Sequence, residues 1–151
     1  MSISTESIAS TLNELIETCK DGQEGFRNAA ENVQNADYKS LFSELSMQRQ
    51  QYVTELQSLV SGLGEGVEKS GSVAAALHRG WMELKSAITS GDEHAILAEC
   101  ERGEDSAVAA YRDALNKTLP ANIENVVRRQ STGVQAAHDR VRNLRDRTAK
   151  S

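Results

Sequence analysis

The chain has 151 residues and a mass of 16.5 kDa, enough for one core and too short for two comfortable ones. It carries 17 Lys and Arg against 22 Asp and Glu, a net charge of -5, and no apolar run approaches the ~18 residues of a membrane span, so a soluble chain without a membrane partner is expected. One Pro and six aromatics leave a β-sandwich or barrel short of turn punctuation and of strand-favouring residues; helix remains.

From Thr5 to about Gln34 the apolar or small positions Ile8, Leu12, Leu15, Cys19, Gly22, Phe26, Ala29 and Val33 recur in steps of four and three, the mark of one helical seam. From Asp37 to Ser61 the same rhythm runs through Leu41, Leu45, Gln48, Tyr52, Leu56 and Leu59, with Asn35 and Asp37 supplying stop and cap chemistry between the two segments. So short a turn predicts an antiparallel pair. The stretch Gly62 to Gly71 holds four of the ten glycines and ends the second helix. Val73, Leu77, Trp81, Leu84 and Ile88 then predict a shorter crossover helix, with Ser90, Gly91 and Asp92 as a break and a capping-box spacing from Ser90 to Glu93. A third long helix runs from about Asp92 to Lys117 through Leu97, Glu101, Glu104, Val108, Tyr111 and Leu115. Pro120 restarts the chain, and Ile123, Val127, Gln130, Val134, Ala137, Val141 and Leu144 trace a fourth.

Narrow seams that meet around one axis predict an all-α four-helix bundle occupying residues 1–151 as one domain. Two short-turn hairpins joined by a crossover at about 62–91, itself carrying a short helix, is the ferritin-like connectivity rather than simple up-and-down.

Cys19 and Cys100 make neither a Cys-x-x-Cys pair nor a disulfide framework, and the opening MSISTESIAS lacks the basic start and apolar stretch of a signal peptide, so a reducing, cytoplasmic location is expected. Charge is uneven: Ala121 to Ser151 carries seven basic and three acidic residues, the rest ten and nineteen. No aromatic accompanies the basic helix for base stacking and no nucleic-acid module is recognisable; a solvated face, or one packed near acidic helices, is expected, with no nucleic-acid partner. Neither a nucleophile elbow, a phosphate-cradling glycine loop nor a zinc spacing occurs, so catalysis is not expected.

The informative residues are polar ones on apolar stripes. They are Gln23 on the first helix, Gln48 with Gln51 at the stripe edge on the second, Glu101 and Glu104 on the third, and Gln130 with His138 on the fourth. Gln23 lies thirteen residues before the first hairpin turn and Gln48 twelve after it, which predicts one buried polar layer at mid-bundle. If its acids are buried without a metal or cation, at least one should be protonated near neutrality. His78, Arg79 and Trp81 read as the residues that dock the crossover onto the bundle, with Gly80 allowing close approach.

The runs DGQEGF (Asp21 to Phe26), SVAAALHRGWMELKSAI (Ser72 to Ile88), AECERGEDSAVAAY (Ala98 to Tyr111) and AAHDRVRNLRD (Ala136 to Asp146) resemble an uncharacterised bacterial family of ferritin-like four-helix-bundle proteins, a domain-of-unknown-function family. The resemblance spans about Ile8 to Arg147 and implies the ferritin-like fold, a stress-related context for some members, and no agreed activity. Ferritin-like di-iron bundles use a Glu from each of two helices and Glu-x-x-His from each of the other two. Here the corresponding slots hold Gln23, Gln48-x-x-Gln51 and Gln135-x-x-His138, and neutral amides are poor ligands for a hard cation. Two readings follow. The first is a non-catalytic bundle without cofactor, whose amide layer sets helix register and which acts by helix-face contact or self-association, as a homodimer. The alternative is a metal-binding bundle holding one iron or manganese ion on Glu101, Glu104 and His138.

Overall fold

The computed structural model describes residues 4–64, 81 and 83–149, and the described residues form five helices. Helix α1 spans Thr5–Asn32; Ser4 caps it, its hydroxyl accepting from the Ser7 amide at 3.1 Å. Val33 is extended and ends it. Helix α2 spans Ala36–Gly62 behind Asn35, whose side chain accepts from the amides of Asp37 and Tyr38. Helix α3 spans Leu84–Ser90 and stops at Gly91, where φ is 72° and a Cβ would be strained. The rest of the expected crossover helix, including His78 and Arg79, lies outside the described residues.

Helix α4 spans Glu93–Leu115 and α5 spans Ala121–Ala149. The cap of α4 is Asp92, which accepts from the amides of His94 and Ala95, and the expected capping box from Ser90 does not form. Glu93 is used elsewhere: its Oε1 accepts from the amides of Gln34 and Asn35 at 2.7 and 3.0 Å. The turn between α1 and α2 leaves those amides without helical partners, and an acid at the start of α4 satisfies them.

This tie places the start of α4 at the α1–α2 turn, whereas α2 ends at the opposite pole, roughly 40 Å away for 27 residues at 1.5 Å each. The end of α2 and the start of α4 therefore lie at opposite ends of the bundle. Each hairpin is antiparallel, α1 packs against α4 and α2 lies beside α5.

Two apolar clusters fill the interior. One joins Leu12, Leu15, Leu56, Val60, Ala114 and Val127; the other joins Phe26, Phe42, Leu45, Ile96, Leu97 and Val141. Trp81 belongs to the second and is wedged between α1 and α4, because a Cβ on Gly25 or on Gly103 would overlap its indole. No helix among the described residues is long and apolar enough to cross a membrane.

Candidate functional site

A polar belt lies between the two apolar clusters, and its centre is an ion pair. Arg49 on α2 and Glu104 on α4 are 1% and 0% exposed. Nη1 of Arg49 donates to Oε1 of Glu104 and Nη2 to Oε2, each at 2.5 Å, the two-pronged geometry that a planar guanidinium and a carboxylate share. Nε donates to Oε1 of Gln48 at 3.2 Å, and the guanidinium carbon stands 5.4 Å from the Phe26 ring centroid. Burial alone would lower the Arg49 pKa, but the charge and hydrogen bonds of Glu104 outweigh it and raise it, so the guanidinium stays charged. Gly22 makes the space: a Cβ there would stand 2.9 Å from Nη1.

A hydrogen-bonded chain continues the belt. The Tyr111 hydroxyl donates to Oε1 of Gln130 at 2.7 Å and lies 3.1 Å from Sγ of Cys19. Since its one proton points at Gln130, the thiol is the donor in the second contact. Nε2 of Gln130 donates to Oε1 of Glu55 at 2.9 Å, and Arg129 donates to the other oxygen of Glu55 at the surface. Burial pushes the Cys19 thiol up to about 11 despite Arg49 nearby, and raises Cys100 and Tyr111 as well. Both thiols are therefore protonated and unreactive at neutral pH.

The expected polar layer and the belt overlap at Glu104 and Gln130 but differ on α2 and α1. Gln48 is half-buried, Gln51 exposed and Gln23 half-buried; the second-helix residue in the interior is Arg49. Between Leu45 and Tyr52 a stripe can pass through position 48 or 49 with equal spacing, and a neutral amide is the cheaper choice for a lone buried group. Glu104 reverses that preference by supplying the opposite charge. The expectation of a protonated acid presupposed a belt without a cation, and Arg49 is that cation. An acid on the stripe of α4 was the signal that an arginine beside Gln48 belonged inside.

Glu101 is buried but faces away from Glu104, toward α5. Arg145 donates to its Oε1, and its Oε2 lies 3.8 Å from Nε2 of His138. The same Nε2 is 2.6 Å from Oδ1 of Asp105, and Nδ1 of His138 is 3.1 Å from Oδ1 of Asp139. The His138 and Gln135 hydrogen bonds hold the Asp139 carboxyl below its usual range. The expected ligand set of Glu101, Glu104 and His138 is thus not assembled, since both Glu104 oxygens are bound to Arg49; Asp105 takes that place beside His138. The residues on the bundle axis also do not fit a two-metal centre, which needs several ionised carboxylates where this chain holds a guanidinium and amides.

No curated protein matches this sequence. A solved structure of a Dps1 mutant from Mycobacterium smegmatis superposes with a TM-score of 0.73 over 93% of this chain and 95% of that chain, at 12% sequence identity. That likeness, with the two hairpins and the long crossover, makes the fold an all-α ferritin-like bundle. Residues 7–117 match the family described as a domain of unknown function, DUF2383, and the chain belongs to that family.

Proposed function

We propose that the protein is a non-catalytic, cytoplasmic ferritin-like bundle that acts by self-association, as a homodimer formed through its α2–α5 face, in the stress-related setting its family resemblance implies. The pattern on that face carries the reading. Met47, 62% exposed, is the exposed large hydrophobic side chain among the described residues. It borders a cleft of about 380 Å³ that Leu45 and Gln48 of α2 line with Gly133, Ala136 and Ala137 of α5. Ala136 and Ala137 leave the cleft open, while at Gly133 the Tyr52 hydroxyl of α2 occupies the place of a Cβ.

Glu44 of α2 and Arg140 of α5 line this cleft, and further along the α2–α5 face α2 presents the acids Asp37 and Glu55 and α5 the bases Arg147 and Arg129. Within one chain Arg140 reaches Glu44 only at 3.9 Å, with both side chains more than half exposed. A two-fold axis over the cleft sets α2 of one protomer against α5 of its partner, acid on base, so the surface is complementary to itself. Several α5 bases are matched by acids of the same chain, Arg128 with Glu124 at 2.5 Å, Arg142 with Asp139 at 3.7 Å and Arg129 with Glu55, which favours a protein partner over nucleic acid.

Sedimentation over a rising concentration series tests this. The expected mass is about twice 16.5 kDa, returning to the single-chain value in Met47→Glu and Arg140→Glu. A chain that stays at 16.5 kDa throughout rules out self-association, and a dimer indifferent to both substitutions rules out this face.

A further inference from the structure

Independently of the dimer, we propose that Glu101, Asp105 and His138 form a binding site for one first-row divalent metal ion at the outer edge of α4 and α5. Ligand atoms of the three residues all lie within 4.8 Å of one another. Glu101 and Asp105 are four residues apart on α4 and so share a face, and His138 enters from α5. Two carboxylates and one imidazole suit manganese, iron or zinc, with water completing the coordination.

Orientation separates this cluster from a chance gathering of acids. Asp139 at 3.1 Å engages Nδ1 of His138 and turns Nε2 toward the two carboxylates, the arrangement in which an outer acid fixes the tautomer of a metal-binding imidazole. The Nε2 edge faces Asp105 at 2.6 Å, a hydrogen bond in which the ring nitrogen donates to the carboxylate, and Glu101 at 3.8 Å, and a metal ion would take the place of that proton. Access suits an ion from solution: Asp105 is 62% exposed at its side chain, whereas His138 and Glu101 are 12% and 9%. Arg145 occupies Oε1 of Glu101 and leaves Oε2 facing the site. Among the described residues Asp105 has no cationic partner besides His138. The site is separate from the bundle axis, where Glu104 is taken.

Calorimetric titration of the whole protein with Zn²⁺ and, separately, Mn²⁺ tests the site, alongside the Mn²⁺ broadening of histidine ring signals in NMR spectra. One equivalent is expected to bind, and His138 is expected to broaden ahead of His94 and His78. Asp105→Asn, at an exposed position that does not threaten folding, should weaken binding by about tenfold or more, and Asp139→Asn by about tenfold. Arg145→Gln, which frees the second Glu101 oxygen, should leave affinity equal or tighter. Absence of saturable binding of either ion at millimolar concentration, an Asp105→Asn affinity equal to wild type, or broadening centred on His94 or His78 would each overturn the proposal.

Discussion

The buried belt and the rim cluster use the same chemistry under opposite conditions. At the belt, Arg49 meets Glu104 with both side chains sealed; at the rim, Arg145 and His138 meet Glu101, Asp105 and Asp139 with Arg145 one-third exposed. A sealed pair is held because either charge alone would be stranded in a low-dielectric interior, so its oxygens are not available to a ligand. Water reaches the rim through Asp105, Asp139 and Arg145 even though Glu101 and His138 are largely covered, so its charges are screened in part and the cation beside a carboxylate can be exchanged for another. Glu104 has both oxygens taken by a sealed guanidinium, whereas the rim keeps a carboxylate oxygen of Glu101 and an exposed Asp105 open to a ligand.

Breaking the belt one side at a time is the largest test of this contrast. Glu104→Gln or Arg49→Met should each lose about 3–5 kcal/mol in urea unfolding, because the remaining group is buried without its counter-charge. The double substitution Arg49→Met with Glu104→Leu should recover most of that loss or exceed wild type. Single losses below about 1 kcal/mol would mean that water reaches the pair.

Alkaline pH sharpens the contrast through the belt's own titrating groups. The Cys19 thiol moves from 9.0 to about 11 on folding, so the folded state holds its proton more tightly and the associated stability is complete below pH 9. As pH rises from 9 toward 11 the unfolded chain ionises first, and stability should fall by roughly 1–3 kcal/mol across that window. Cys100 and Tyr111 shift in the same direction and add to the fall. Thermal melts from pH 8 to 11 should show a shallower decline in Cys19→Ala; equal slopes would place the thiol in contact with solvent.

The smallest effect is expected at the rim. Arg145→Gln should lower unfolding free energy by about 1 kcal/mol, well below the belt substitutions, because Arg145 is one-third exposed and water can take its place at Glu101. A loss as large as that from Glu104→Gln would make the rim a structural clamp and remove the distinction.

Much of the bundle is readable along the chain. Ile8, Leu12, Leu15, Leu41, Leu45, Leu56, Val127, Val134 and Val141 sit in the core at the four-three spacing, because a helix has one period and apolar side chains have one favourable environment. Asn35 ends the first hairpin turn as its side-chain chemistry dictates. The candidate site was legible in part. Glu104 and Gln130 lie in the interior, and Glu101 and His138 face each other across α4 and α5. Arg49 was not legible from α2 alone, where 48 and 49 are equivalent by spacing. Asp105 was hidden for a similar reason: it reads as a solvent-facing neighbour of Glu104 until α5 brings His138 to it. Glu93 shows the same limit, since its acceptor role depends on two amides some sixty positions earlier.

Periodicity, turn chemistry and charge are properties of the chain taken a few residues at a time, and by themselves they determined the helices, their polarity and the long crossover. Partner choice belongs to the packed molecule: which acid receives the buried guanidinium, which faces a histidine, and which glycine clears room for an arginine or an indole. A charge becomes tolerable in the interior only when its complement arrives from another helix, and that arrival is a three-dimensional event.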